Sequence, residues 1–225
     1  MAALVQNAEP TSDPNAPYIP AYTSGPEGLT ARIELPESAF PLTLHPDVPW
    51  TDDQLLAFCA ANELLRVERE PNGEITIMAP TGTEGGNAEL DIAADLTFWA
   101  RQDGRGRALG PNSGIKLPDT AVRAADAGWV SFARYSQTEG KGYRQFVPEF
   151  VIEVRSASDR LPPLRRKMEK WIGAGVELAW LIDPSRKAVE IYRPNQAPEI
   201  QEGHTAVYGE GPVAGFILEL ARIWG

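Results

Sequence analysis

The alternation of apolar and polar residues changes period several times along this chain. Residues 66–70 (Arg-Val-Glu-Arg-Glu) and 74–78 (Glu-Ile-Thr-Ile-Met) alternate on either side of Pro71-Asn72-Gly73. Turn residues of that kind between two such runs predict a β-hairpin. Upstream, Thr51-Asp52-Asp53-Gln54 suits a helix start, with a threonine cap and early acids, and Leu55, Leu56, Phe58 and Cys59 extend the helix to about Asn62. A loop rich in Gly and Thr over 80–86 precedes a helical period from about 87 to 102. Another helix is expected from about 162 to 174. Ser158 and Asp159 precede it, Pro162 sits in its first turn, and Gly173 and Gly175 favour its end. Strands are expected in short pieces over 104–119, near 127–134 and over 150–155. A second hairpin over 177–182 and 188–192 turns at Pro184-Ser185, and the tail reads as further strand or a short helix. This order implies an α/β or α+β domain with one central mixed β-sheet flanked by helices.

Certain polar residues interrupt these patterns. At about 100° per residue, Glu89 falls in the middle of the apolar stripe of Ile92, Ala93, Leu96, Trp99 and Ala100. It needs a cation or donor beside it, unless the first turn of the helix projects past the core and Glu89 merely favours the dipole. Lys167 borders the stripe of Leu164, Met168, Trp171 and Ile172, a place where lysine often snorkels. Phe150-Val151-Ile152-Glu153-Val154 is a near-continuous apolar run, as in a strand buried on both faces, and Glu153 is a charge inside it. The alternatives for Glu153 are a functional site and a strand-end acid paired with a nearby arginine. Asp126 precedes the strand at Trp129-Val130 and follows Arg123, with which it could simply pair. Two carboxylates from adjacent strand ends, with a backbone carbonyl, make a hard oxygen site suited to Mg²⁺ or Mn²⁺. A nearby lysine could stabilise charge developing on a phosphate.

Composition narrows the function classes. The 225 residues carry 31 acidic and 21 basic side chains, a formal charge of −10, which at first argues against a polyanionic partner. The charge is uneven: residues 101–170 hold 14 basic against 8 acidic residues, a net +6, and the remainder is −16. A solvated surface of mixed sign and a local polyanion site both agree with that split. No run approaches the ~20 apolar residues of a membrane span. The start Met1-Ala2-Ala3-Leu4-Val5-Gln6-Asn7 lacks the pattern of a signal peptide, so a cytoplasmic protein with no membrane partner is expected. The single cysteine, Cys59, excludes a disulfide framework, and His45 and His204 are too few for His-rich metal sites. Residues 1–49 hold nine of the 20 prolines and are expected to form a flexible arm ahead of a domain over 50–225.

Ordered landmarks add a further reading. They are Glu68-Arg69-Glu70-Pro71-Asn72-Gly73-Glu74, Met78-Ala79-Pro80-Thr81-Gly82, Ile115-Lys116-Leu117-Pro118-Asp119 and Arg123-Ala124-Ala125-Asp126-Ala127-Gly128-Trp129-Val130. They continue with Pro148-Glu149-Phe150-Val151-Ile152-Glu153-Val154-Arg155-Ser156, Lys167, Trp171 and Ala179-Trp180-Leu181-Ile182-Asp183-Pro184. The set, from about residue 51 to 192, resembles the Uma family of restriction-endonuclease-like proteins, within the PD-(D/E)XK superfamily. The resemblance implies a Mg²⁺- or Mn²⁺-dependent endonuclease acting on DNA. It implies Asp126 and Glu153 as metal ligands with the Val154 carbonyl as a third, Lys167 as the catalytic lysine, and Glu89 as the first-helix acid. It also allows a homodimer that cuts both strands. Two positions depart from the pattern: Ala125 stands where a proline is expected, and Arg155 stands two residues after the acid, where arginine cannot give up a proton. The rival readings are a non-catalytic interaction protein that keeps the nuclease fold and a metal hydrolase of small phosphate esters.

Overall fold

The computed structural model describes residues 40–63, 65–78, 81–138, 142–156 and 159–224. Residues 1–39 of the expected arm, Ala79-Pro80 and Ser158 lie outside the described residues. The end of the arm belongs to the fold: β1 (Leu42–Leu44) pairs antiparallel with β3 (Ile75–Met78), Leu42 opposite Ile77. The boundary placed at residue 49 therefore moves upstream, because Leu42 and Leu44 pack on the cluster of Leu55, Phe58, Ile75 and Ile77. α1 (Asp52–Ala61) starts behind a reciprocal cap, in which Thr51 Oγ1 accepts from the Gln54 amide and Gln54 Oε1 accepts from the Thr51 amide. β2 (Arg66–Arg69) and β3 form the first hairpin, with Gly73 supplying the positive φ of 87°.

α2 (Thr83–Asp103) begins four residues before its apolar period. Gly85 and Gly86 hide this turn in the sequence, since glycine disfavours helix. A Cβ at Gly85 would lie 2.5 Å from Thr81 Cγ2, so the glycine lets Thr81 fold over the helix start. Then come β4 (Gly106–Leu109), β5 (Ile115–Lys116), β6 (Val122–Arg123) and β7 (Ala127–Ser131). The strand expected to reach 134 stops at Ser131, whose hydroxyl caps the short α3 (Phe132–Tyr135). β8 (Arg144–Gln145), β9 (Phe150–Val154), α4 (Leu161–Gly173), β10 (Leu178–Asp183) and β11 (Ala188–Tyr192) follow. The tail holds β12 (Glu199–Glu202), β13 (Ala206–Tyr208), β14 (Ile217–Glu219) and α5 (Ala221–Trp224).

The fold is mixed α/β, with multi-stranded sheets flanked by helices. Among the described residues, the strands divide between two six-stranded mixed sheets, where the sequence suggested one, and a β13–β14 ribbon. The first sheet runs β1-β3-β2-β6-β5-β8 and the second β12-β11-β10-β9-β7-β4. β9 and β10 are parallel neighbours joined through α4, as a crossover requires. β9 is buried on both faces: Phe150, Ile152 and Val154 join the core with Ile92 and Leu96 of α2, and Val151 joins the core with Met168 and Trp171 of α4. The two helices thus cover opposite faces of the second sheet. No helix among the described residues is long and apolar enough to cross a membrane.

The flank of the second sheet carries a buried ion network. Glu190 of β11 accepts from Arg165 Nε (2.9 Å), Arg186 Nη1 (3.3 Å) and the Tyr192 hydroxyl (2.9 Å). Burial works to raise its carboxyl pKa, but Arg165 and Tyr192 outweigh it and hold the group below the ordinary glutamate value. A depressed folded value stabilises the protein above the unfolded pKa, and that contribution is lost as pH falls through the folded one. Glu190→Gln should therefore cost about 2 kcal/mol in urea unfolding at neutral pH, a charged hydrogen bond's worth, and less in acid. A penalty that does not change with pH would contradict this.

Candidate active site

The chain leaves the first sheet at Arg123 and enters the second at Ala127, and Ala124-Ala125-Asp126 make the crossing. β7 pairs antiparallel with β9, Ala127 opposite Ile152, and Asp126 stands just before this register, its side chain bonded to the amide of Val154, the neighbour of Glu153. Alternation along β9 places Glu153 on the Val151 side, which α4 covers. Its two oxygens accept from Lys167 Nζ at 3.0 and 3.1 Å, and Oε1 also accepts from Trp171 Nε1 at 2.8 Å. Lys167 also donates to Glu68 Oε1 (2.8 Å) and to the Ala124 carbonyl (3.1 Å). The lysine at the border of the helix stripe is thus a buried hub between α4, β9, β2 and the crossing.

Asp126 does not pair with Arg123. That arginine turns to Glu70 and Glu68. Asp126 Oδ2 accepts from the Val154 amide (2.7 Å), and Oδ1 accepts from Arg66 Nη2 (2.9 Å). The same Nη2 reaches Glu89 Oε2 at 3.1 Å, Nη1 reaches Glu89 Oε1 at 3.3 Å, and Thr81 Oγ1 donates to Glu89 Oε1 at 3.1 Å. Glu89 lies in the second turn of α2 and is 8% exposed, beside Asp126 at 5%, Glu68 at 6% and Glu153 at 3%. Arg155 turns away to Asp183 (2.9 Å). Two members of this cluster, Arg66 and Glu68, were not singled out in the sequence. They alternate with Val67 on a hairpin strand, which is the pattern of a solvent-facing edge.

The electrostatics follow from burial. Burial pushes the Glu153 carboxyl up to about 8 against the pull of Lys167, and the charges of Asp126 and Glu68 add to the rise. Burial disfavours the Lys167 ammonium, but Glu153, Glu68 and Asp126 outweigh it and hold it protonated beyond the ordinary lysine range. Glu89 is raised by burial first and then by Asp126, against Arg66 and Thr81.

All four carboxylates are hard oxygen donors of the kind Mg²⁺ and Mn²⁺ take. Among the described residues, no three Asp, Glu, His or Cys side chains stand close enough to hold a metal as they are. Arg66 joins Asp126 to Glu89, and Lys167 joins Glu153 to Glu68. A guanidinium nitrogen within 3.1 Å of two carboxylates takes the kind of place a metal cation would, so the residues fit a divalent ion in donor chemistry and charge. Val154, expected to offer its carbonyl, donates its amide to Asp126 Oδ2.

The +6 of residues 101–170 is not an open basic face. Arg123, Arg134, Arg155, Arg165, Lys116 and Lys170 all pair with carboxylates. Among the described residues, Arg101, Arg107, Arg160 and Arg166 have no carboxylate partner.

A protein-family profile, Uma2, described as "Putative restriction endonuclease", matches residues 52–221. No curated protein matches the chain. A solved structure from Anabaena variabilis ATCC 29413, described as a "putative nuclease belonging to DUF820", has the same fold. It superposes with a TM-score of 0.63 at 20% identity, over 78% of this chain and 98% of that one.

Removing the hub should be costly. Lys167→Met leaves Glu68 and Glu153 buried without their shared cation, a loss of about 3–5 kcal/mol for a broken buried pair. Urea unfolding of Lys167→Met beside Lys167→Arg tests this. A Met variant as stable as the parent would contradict the hub.

Proposed function

The chain belongs to the Uma2 family, and from that membership and the acids its fold brings together we propose a metal-dependent endonuclease that hydrolyses DNA phosphodiester bonds. The observation that carries this reading is that Asp126 is bonded to the amide of Val154, next to Glu153 at the end of β9, with Lys167 bonded to Glu153. A divalent ion bound at these carboxylates would offset phosphate charge and lower the pKa of a water. Mg²⁺ and Mn²⁺ suit an all-oxygen donor set.

Each protein group then has a distinct task. The Val154 amide fixes the orientation of Asp126, and the Trp171 indole fixes Glu153. Lys167 holds a permanent positive charge beside the acids, where it would stabilise charge gathering on a phosphoryl oxygen. Glu68 and the Ala124 carbonyl position that lysine. Arg155 has no part in it, since Asp183 holds it elsewhere. Among the described residues, Arg101, Arg160 and Arg166 are exposed without a carboxylate partner and would meet flanking phosphates, which would make DNA binding salt-sensitive.

Cleavage of supercoiled plasmid in Mg²⁺ tests the reading. Asp126→Ala and Glu153→Ala should each lower the rate by roughly a hundredfold or more, the scale of losing one preorganised charged group. Equal rates for both variants and the parent protein would overturn the assignment.

A further inference from the structure

We propose that Arg66 is a built-in counter-ion that holds the place of a divalent metal between Glu89 and Asp126, and that a metal binds there as the guanidinium leaves. The inference rests on the metal-dependent reading above and concerns how the same site is filled.

Arg66 donates to four side chains. Nε donates to Asn112 Oδ1 (3.1 Å), Nη1 to Thr81 Oγ1 and Glu89 Oε1 (both 3.3 Å), and Nη2 to Glu89 Oε2 (3.1 Å) and Asp126 Oδ1 (2.9 Å). Burial disfavours the Arg66 charge, and Asp126 and then Glu89 outweigh it. Two carboxylates so near each other repel unless a cation lies between them. In this structure the cation is Arg66. A divalent ion on the same oxygens would face a fixed positive charge at contact distance, a repulsion the buried setting hardly screens. Arginine cannot relieve that repulsion by losing a proton, as a lysine can, so it has to move.

Movement is open to Arg66. Its side chain is 21% exposed and begins at the first residue of β2. Its bonds to Glu89 and Thr81, at 3.1 to 3.3 Å, lie at the long end of the normal range. Its Nε bond to Asn112 is on the exposed side, so the head can swing away from the acids while the charge stays at the mouth of the site. Lys167 is different. It is held at 2.8 Å by Glu68 and by two further partners, and it stays. The site thus has one fixed cation and one exchangeable cation.

Isothermal titration with Mn²⁺ alone, on the full chain, tests the exchange. Arg66→Gln should bind Mn²⁺ at least about tenfold more tightly than the parent, since the parent must first break a buried pair, at a cost greater than a tenfold change in affinity. Asp126→Ala should lose binding. Thermal melting gives a second readout: Arg66→Gln should melt below the parent in EDTA and gain more from Mn²⁺ than the parent does. Should Arg66→Gln fail to fold in EDTA and in Mn²⁺ alike, Arg66→Lys decides, because a lysine can give up its proton as a metal enters and should still tighten Mn²⁺ binding. Equal or weaker binding by the Arg66 variants, with Asp126→Ala still losing it, would overturn the exchange and leave the metal site standing. Unaltered binding by Asp126→Ala would overturn both.

Discussion

A carboxylate withdrawn from water must be met by a cation or a set of donors, or it takes up a proton. This fold withdraws Glu68, Glu89, Asp126 and Glu153 to one place, where the chain crosses from the first sheet to the second. Two cations answer them. Lys167 joins α4 to β9, β2 and the crossing, and Arg66 joins β2 to α2 and Asp126. The architecture around the site therefore depends on charge pairing as much as on apolar packing. Altering Lys167 therefore alters the contact between helix and sheet. Buried pairs of this kind add little net stability over an apolar core, yet breaking one is costly.

Packing sets the geometry that charge pairing then fixes. β9 is apolar on both faces because α2 and α4 cover opposite sides, and this leaves one acid, Glu153, on the α4 side. Thr81 reaches Glu89 because glycine at 85 leaves room for it over the start of α2. These local devices place groups from five distant segments within hydrogen-bond reach of one another.

How much of this was legible depended on the signal each residue leaves. Glu153 stood out as a charge in an apolar strand, and Lys167 at the edge of a helix stripe. Asp126 was visible in a loop before a strand, but its partner was not, since Arg123 next to it in sequence turns to Glu70. Arg66 and Glu68 left no signal, because alternation in a hairpin looks the same whether its polar face meets water or a second sheet. β5, β6 and β8 are two residues each, too short to carry a period, so the division into two sheets was hidden. The positive charge of residues 101–170 misled for a related reason: a linear sum does not show that Arg123, Arg155 and Arg165 pair with acids close in space.

Family membership gives the chain a nuclease-like setting, and the pairing of four buried acids gives a physical account of where its chemistry would occur. The most direct test is anomalous diffraction from crystals soaked in Mn²⁺. The account predicts a manganese peak at Asp126, within reach of Glu153 or Glu89, with Lys167 still on Glu68 and Arg66 turned away from the acids. Crystals with no peak at these carboxylates, and with Arg66 still bridging Glu89 and Asp126, would contradict it.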